Sequence, residues 1–209
     1  YLGGYKEALS KVNIPARFLN SLIVTSVSTV IGVTIYAMAA YVLARKNFIG
    51  KGIIFTIFIS SMLIHGNALL QPIFLMMVRM GLYDTKAGLI LVYIGFGMPI
   101  SLFLLRSTFL GCPKELEEAA AIEGAGFLRT FWSVMLPLAK PALSSSAILM
   151  FLGNWNELVF ALLLTSSEKN RTLPLTMKFF TTTFGFDYSA MLAALVLCML
   201  PTIIVYLFL

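Results

Sequence analysis

Apolar and polar positions along this chain alternate on the scale of whole segments rather than single residues. Five stretches are almost uninterruptedly apolar: 19–44, 52–78, 87–105, 141–164 and 188–209. Each approaches or exceeds the ~20 residues a helix needs to cross a bilayer. Between them lie polar turns at 45–51 and 79–86, a long charged segment at 106–140, and a stretch at 165–187 containing the run SSEKNRT. The pattern predicts an all-α, polytopic membrane helical bundle, five spans in a single domain. Residues 1–18 are polar and mildly amphipathic and are expected outside the membrane, with Asn20 or Ser21 capping the first span. Because the chain opens at Tyr1 and stops inside an apolar run at Leu209, at least one further N-terminal span and a short C-terminal tail are expected beyond it.

Composition sharpens this reading. Hydrophobic residues make up 59% and charged residues only 11%, against about 25% charged in soluble domains. The net charge of +6 does not argue for nucleic acid, since the Lys and Arg residues are scattered through loops without forming a stripe, and bilayers select flanking cations. The cationic residues divide almost evenly between the two sides, so the orientation rests on segment 106–140, read as cytoplasmic. Cys112 and Cys198 suggest neither a disulfide framework nor a metal site.

The charged segment reads as helix–Gly–helix. Pro113 suits a first helical position, and Glu115, Glu117 and Glu118 load the first turn, where the helix dipole favours anions. Leu116, Ala119, Ala120 and Glu123 share one face. Gly124 and Gly126 break the helix. Phe127, Phe131, Val134 and Met135 form one face of a second helix, which Pro137 is expected to end. An amphipathic helix lying on the bilayer would want a basic polar face. This one is acidic, as a docking surface for a partner would be.

The array Glu118-Ala119-Ala120, then Gly124, then Val134-Met135-Leu136-Pro137, resembles the coupling-loop signature of ABC-importer permease subunits. Asn20-Ser21-Leu22-Ile23, Gly81-Leu82-Tyr83-Asp84-Thr85, Trp155-Asn156-Glu157 and Arg171-Thr172-Leu173-Pro174 are similar to the carbohydrate-uptake, maltose-type branch. The likeness covers essentially the whole chain; Glu123 stands where Asp is commoner. The resemblance implies a type I importer permease fold with six spans in the full chain, in a bacterial or archaeal cell membrane. It also implies a homologous permease partner, two ATP-hydrolysing subunits and an extracytoplasmic sugar-binding protein. Glu118, Ala119, Ala120, Glu123, Gly124, Gly126 and Pro137 would couple to the ATPase. ATP and magnesium would sit on those partners, and no P-loop occurs here.

Polar residues within the spans are the other candidates. A carboxylate in a span faces the bundle interior or a watery cavity, which draws attention to Asn154, Trp155, Asn156 and Glu157. Two readings stand: a sugar subsite built from amides and an aromatic ring, or helix-to-helix polar glue and an outer gate, with gate or packing favoured for Glu157. Asn67 and Gln71, four apart, are candidates to line the pathway, although packing with a kink at Pro72 serves as well. His65 has no second ligand nearby for a metal. With one His and no paired carboxylates, no catalytic constellation is present. The rival function is a stand-alone secondary transporter or channel, for which only His65 and Glu157 offer ionisable groups within the spans.

Overall fold

The computed structural model describes residues 13–176, together with 192, 195–196 and 199–203. The described residues contain helices and no strand. Helix α1 (Ile14–Arg45) is followed by α2 (Lys51–Ser60), 3-10 turns at Ser61–Leu63 and Gly66–Leu69, and α3 (Leu70–Arg79). Then come α4 (Lys86–Gly111), α5 (Glu115–Ile122), α6 (Phe127–Leu138), α7 (Lys140–Trp155) and α8 (Val159–Leu164). By length and composition α1 and α4, of 32 and 26 residues, can each cross a membrane, and two bent pairs, Lys51–Leu63 with Gly66–Arg79 and α6 with α7, qualify when each is taken as one span. Of the expected fifth span at 188–209 only 192, 195–196 and 199–203 are described, all helical, and the part of the 165–187 stretch beyond Thr176 lies outside the described residues.

The first helix starts earlier than its apolar run. Asn13 caps it, its Oδ1 accepting from the Ala16 N–H at 3.2 Å, and Pro15 falls in the first turn, where a missing N–H costs nothing. Asn20 and Ser21 therefore do not cap α1. They lie within it and bind a distant segment instead: Asn20 Nδ2 donates to the carbonyls of Lys169 and Arg171, and Ser21 Oγ accepts from the Leu173 N–H.

Three expectations about continuity are revised. The 52–78 stretch is not one helix. Ile64 is extended, the flanking turns are 3-10, and Pro72 sits in the first turn of α3, where it helps start a helix rather than kink one. The 141–164 stretch is likewise broken, between Trp155 and Val159. Pro137 does not end α6. The preceding residues Phe131–Met135 form a π-helical turn, which lets the chain pass the proline's missing N–H. The helix runs on to Leu138, and the chain then turns by 78° into α7, which carries Pro141 in its own first turn.

The chain divides into two compact units: residues 1–28, 67–93 and 151–209, and residues 29–66 and 94–150. In the first, Val24, Met77, Leu89, Val92, Tyr93, Phe160, Ala161 and Leu164 pack together. In the second, Tyr36, Ala37, Ala40 and Tyr41 of α1 pack with Leu102, Leu105 and Phe109 of α4 and with Phe131, Met135 and Met150. Met150 fits because Gly97 and Gly32 leave room for it. A Cβ on Gly97 would lie 2.9 Å from its sulfur, and one on Gly32 would lie 2.6 Å from its methyl.

Helix α1 shows an inside-out distribution. Asn20, Ser21, Thr25, Ser28 and Thr29 are buried, while Leu19, Leu22, Ile23, Val27, Val30 and Ile31 are exposed. In lipid an outward leucine costs nothing and helices associate through close packing and interhelical hydrogen bonds, so this arrangement belongs in a bilayer.

Candidate functional site

The 106–140 segment is not all loop and short helix: 106–111 continue α4 past the expected span end at 105 and Lys140 opens α7, while the residues between fold as the two short helices α5 and α6, all within the second unit. Lys114 starts α5, its carbonyl accepting from the N–H groups of Glu117 and Glu118. Three glutamates occupy this first turn, and the structure sorts them. Glu117 turns inward, its Oε1 2.8 Å from Arg45 Nε, with side chains 23% and 6% exposed respectively. The contact is an ion pair rather than an aligned hydrogen bond. Arg45 Nη2 donates to the Cys112 carbonyl at 2.7 Å. Ala120 is buried on the same side. Glu115, Glu118, Ala119 and Glu123 face outward, and with them Ile122, which is 88% exposed.

Helix α5 stops in a Schellman motif. The Ala125 N–H reaches the Ala120 carbonyl at 2.9 Å and the Gly124 N–H reaches that of Ala121 at 3.0 Å. This requires a left-handed residue at Gly124, whose φ is +81°, the conformation that glycine adopts without a Cβ penalty. Gly126 is extended and opens α6. Phe127 then stacks on Tyr41 with ring centroids 4.8 Å apart, and Phe131 approaches the same ring at 5.2 Å. Lys46 lies over Phe127 at 4.6 Å, a cation–π contact. Leu128 and Trp132 point away and are exposed. Pro137 is exposed near the end of α6.

Of the residues chosen from the sequence, Glu118, Ala119, Ala120, Glu123 and Gly124 lie on or just after α5, with Ala120 beneath the surface that Glu118, Ala119 and Glu123 form, while Gly126 stands at the start of α6 and Pro137 near its other end. Sequence reasoning missed the Arg45–Glu117 pair and the exposed Ile122, Leu128 and Trp132. Ile122 does carry a signal: it lies four residues after Glu118, on the polar side of α5, where an apolar residue has no business unless something covers it.

The second group surrounds the break between α7 and α8, in the first unit. Asn154 Nδ2 donates to Ser28 Oγ at 3.0 Å, and Ser28 in turn donates to the Thr25 carbonyl. Trp155 is buried, stacked on Phe151 and edge-on to Phe18. Asn156 is exposed and bonds back to the Leu152 carbonyl of its own helix. Glu157 is the cap of α8: Oε1 accepts from the Phe160 N–H at 2.8 Å, and Oε2 from the Ala161 N–H at 3.0 Å. Tyr93 donates to Oε2 as well. Asn67 and Gln71 are exposed but share no continuous α-helix, since Asn67 lies in a 3-10 turn.

A polar clasp lies beside this break. Asp84, with φ +54°, accepts at Oδ1 from the N–H groups of Ser166 and Ser167 at 2.9 and 3.0 Å, while its own N–H donates to the Leu164 carbonyl. Burial pushes its carboxyl pKa up, but donation from Ser167, Ser166 and Asn170 outweighs that and holds it well below the usual carboxylate range. Buried Arg17 pairs with Glu168 at 2.7 Å and donates to Thr176. These contacts fix segment 165–176 against α1 and the 80–85 turn.

The family model for the inner membrane component of binding-protein-dependent transport systems matches residues 15–209. The chain belongs to this family. It is therefore an integral inner-membrane permease of the ABC transporter type, which works in general with an ATPase and a binding protein. The permease is 35% identical over 204 residues to the permease protein of a diacetylchitobiose uptake system from Streptomyces coelicolor, covering 97% of this chain and 68% of the relative. It is 34% identical to a trehalose/maltose transport system permease from Thermococcus litoralis, covering 97% and 74%. Its fold matches a chain of a bacterial ABC transporter involved in import of the acidic polysaccharide alginate, with a TM-score of 0.85 at 27% identity, covering 97% of this chain and 76% of the other.

Proposed function

We propose that this permease forms, with a homologous second permease, the translocation path of an ATP-driven sugar importer. An extracytoplasmic binding protein delivers the carbohydrate, and two ATPase subunits carry ATP and magnesium. The permease itself is non-catalytic and binds no nucleotide. The observation that carries the reading is the outward face of α5. Glu118, Ala119, Ile122 and Glu123 form an acidic surface with an exposed isoleucine, closed by the left-handed turn at Gly124 and backed by residues tied to α1 and α4. Ala119 lets a partner approach closely there, and Glu118 offers a charge for a basic group. Gly126 sets the entry to α6, and Pro137 stands near the turn into α7. The carbohydrate class is supported by relatives named for diacetylchitobiose and for trehalose and maltose.

Asn67, Gln71 and Asn156 are exposed and offer amides to sugar hydroxyls along the path. Asn154, Trp155 and Glu157 have their side chains engaged within the protein and shape the path's wall. The test is uptake by proteoliposomes holding both permeases, with and without the ATPase subunits and ATP. The binding protein is titrated separately with diacetylchitobiose, trehalose and maltose. Uptake should require the ATPase and ATP; uptake by the permease alone without ATP ends the proposal.

A further inference from the structure

Arg45 is the last residue of α1, and its guanidinium reaches two other elements at once. Nη2 donates to the Cys112 carbonyl, one residue beyond the end of α4. Nε pairs with Glu117 in the first turn of α5. One side chain, 6% exposed, therefore ties both long helices to the coupling helix. We infer that Arg45 and Glu117 form a strut that makes α5 move as one body with α1 and α4, so that displacement of α5 by the ATPase reaches the spans. The inference deepens the coupling role proposed above and rests on it.

Several features favour a strut over an incidental pair. The pair is largely shielded from solvent, so it is screened far less than the exposed glutamates beside it, and removing one partner strands a charge. The guanidinium is planar and fixed in direction, which makes a two-point contact rigid in a way an ammonium is not. The neighbouring aromatic group of Tyr41, Phe127 and Phe131 anchors α6 by packing, which tolerates small slips. Between the two lies Gly124, where the backbone is free of side-chain restraint and a Cβ would have open space within 4 Å. Without the pair, α5 would be held between its ends by the packing of Ala120 and, where Glu117 is kept, by its hydrogen bond with Tyr41, and more of a push on it would be absorbed at Gly124 instead of being passed on. The charge order matters too. Glu115 and Glu118 are exposed, so Glu117 is the glutamate of this turn that faces into the protein.

The test uses the assembled transporter with its ATPase subunits in lipid nanodiscs, with Cys112 and Cys198 replaced by Ser. Spin labels are placed at Ala121→Cys on α5 and Ile49→Cys just beyond α1, and their distance distribution is read without nucleotide and with ATP plus vanadate. In the parent protein the distribution should be narrow and unchanged by ATP and vanadate. In Glu117→Gln and Arg45→Met it should broaden and shift with ATP and vanadate, with the ATPase still bound and hydrolysing ATP. Arg45→Lys, which keeps the charge but loses the two-point contact, should give a distribution between those of the parent and Arg45→Met. Should Glu117→Gln or Arg45→Met fail to assemble, Glu117→Asp, whose shorter side chain draws the carboxylate away from Arg45, or Arg45→Lys stands in its place. An unaltered distribution in Glu117→Gln, or in the variant standing for it, overturns the strut. The distance is internal to this chain, so its outcome is separate from that of docking: failure of the coupling reading would appear as ATPase binding indifferent to Glu118 and Gly124.

Discussion

Tyr93 donates a hydrogen bond of 2.9 Å to the Glu157 carboxylate, 64 residues further along the chain. The same carboxylate accepts from the Phe160 and Ala161 N–H groups, so a charge placed among apolar segments is used to restart a helix after a break. Replacing Glu157 with Ala removes the cap and leaves orphan donors, a loss of about 1–2 kcal/mol. Glu157→Gln retains an acceptor and should lose less, and Tyr93→Phe less again. Thermal unfolding of the purified complex measures the order. A Glu157→Ala protein of unchanged stability but altered uptake would instead assign this residue to the translocation path.

Gly124 separates strain from contact. Its left-handed φ penalises an L-residue by about 1–2 kcal/mol, with Asn the mildest choice, and inside this chain an added Cβ would meet nothing. Gly124→Asn should therefore leave the permease folded and inserted. If the partner's groove needs a bare backbone here, ATP-dependent uptake should fall by about tenfold or more, as a lost interfacial fit of ~1.4 kcal/mol would produce. Co-purification of the ATPase with the variant, set beside its uptake, is the measurement.

Asp84 makes a prediction about pH. Its pKa is held below that of an unfolded-chain carboxylate, so the stabilisation it supplies is fully present above the unfolded value of about 3.9 and lost as pH falls below it. From pH 8 to about 5, the Ser166 and Ser167 amides should keep constant protection relative to their intrinsic exchange rates. Asp84→Asn, which tolerates the positive φ but lacks the charge, should reduce that protection at every pH in the range. Hydrogen exchange at these two amides measures both effects.

Met150 and the glycines facing it give a packing test. Gly97→Ala places a methyl 2.9 Å from the Met150 sulfur, an overpacking worth about 1–3 kcal/mol unless the flexible side chain finds another rotamer. Gly32→Ala meets the same side chain at 2.6 Å. Combining either with Met150→Ala should recover part of the loss. A double-mutant cycle on thermal stability reads the coupling, and simple additivity would mean that the notch is loose.

Segment-long apolar runs determined from the sequence alone that this chain lives in a bilayer, because no soluble fold can hide so little charge among so much hydrocarbon. The helix–Gly–helix of the coupling segment was equally legible. Its acidic first turn, the stop at Gly124 and the aromatic face of Phe127 and Phe131 are all local, fixed by backbone geometry and by spacing within a few residues. Tertiary structure alone decided the features that depend on groups far apart in the chain. It chose which of three adjacent glutamates turns inward, because Arg45 waits there from 72 residues earlier, on the far side of α4 in sequence. It made Asn20 a clamp for 169–171 rather than a cap, and Glu157 a cap rather than a free charge. It broke the 52–78 and 141–164 runs, whose apolar composition is the same for a straight helix and a bent one. Hydropathy reports what a segment is dissolved in. Direction, pairing and breaks are set by partners, and no periodicity in the sequence names them.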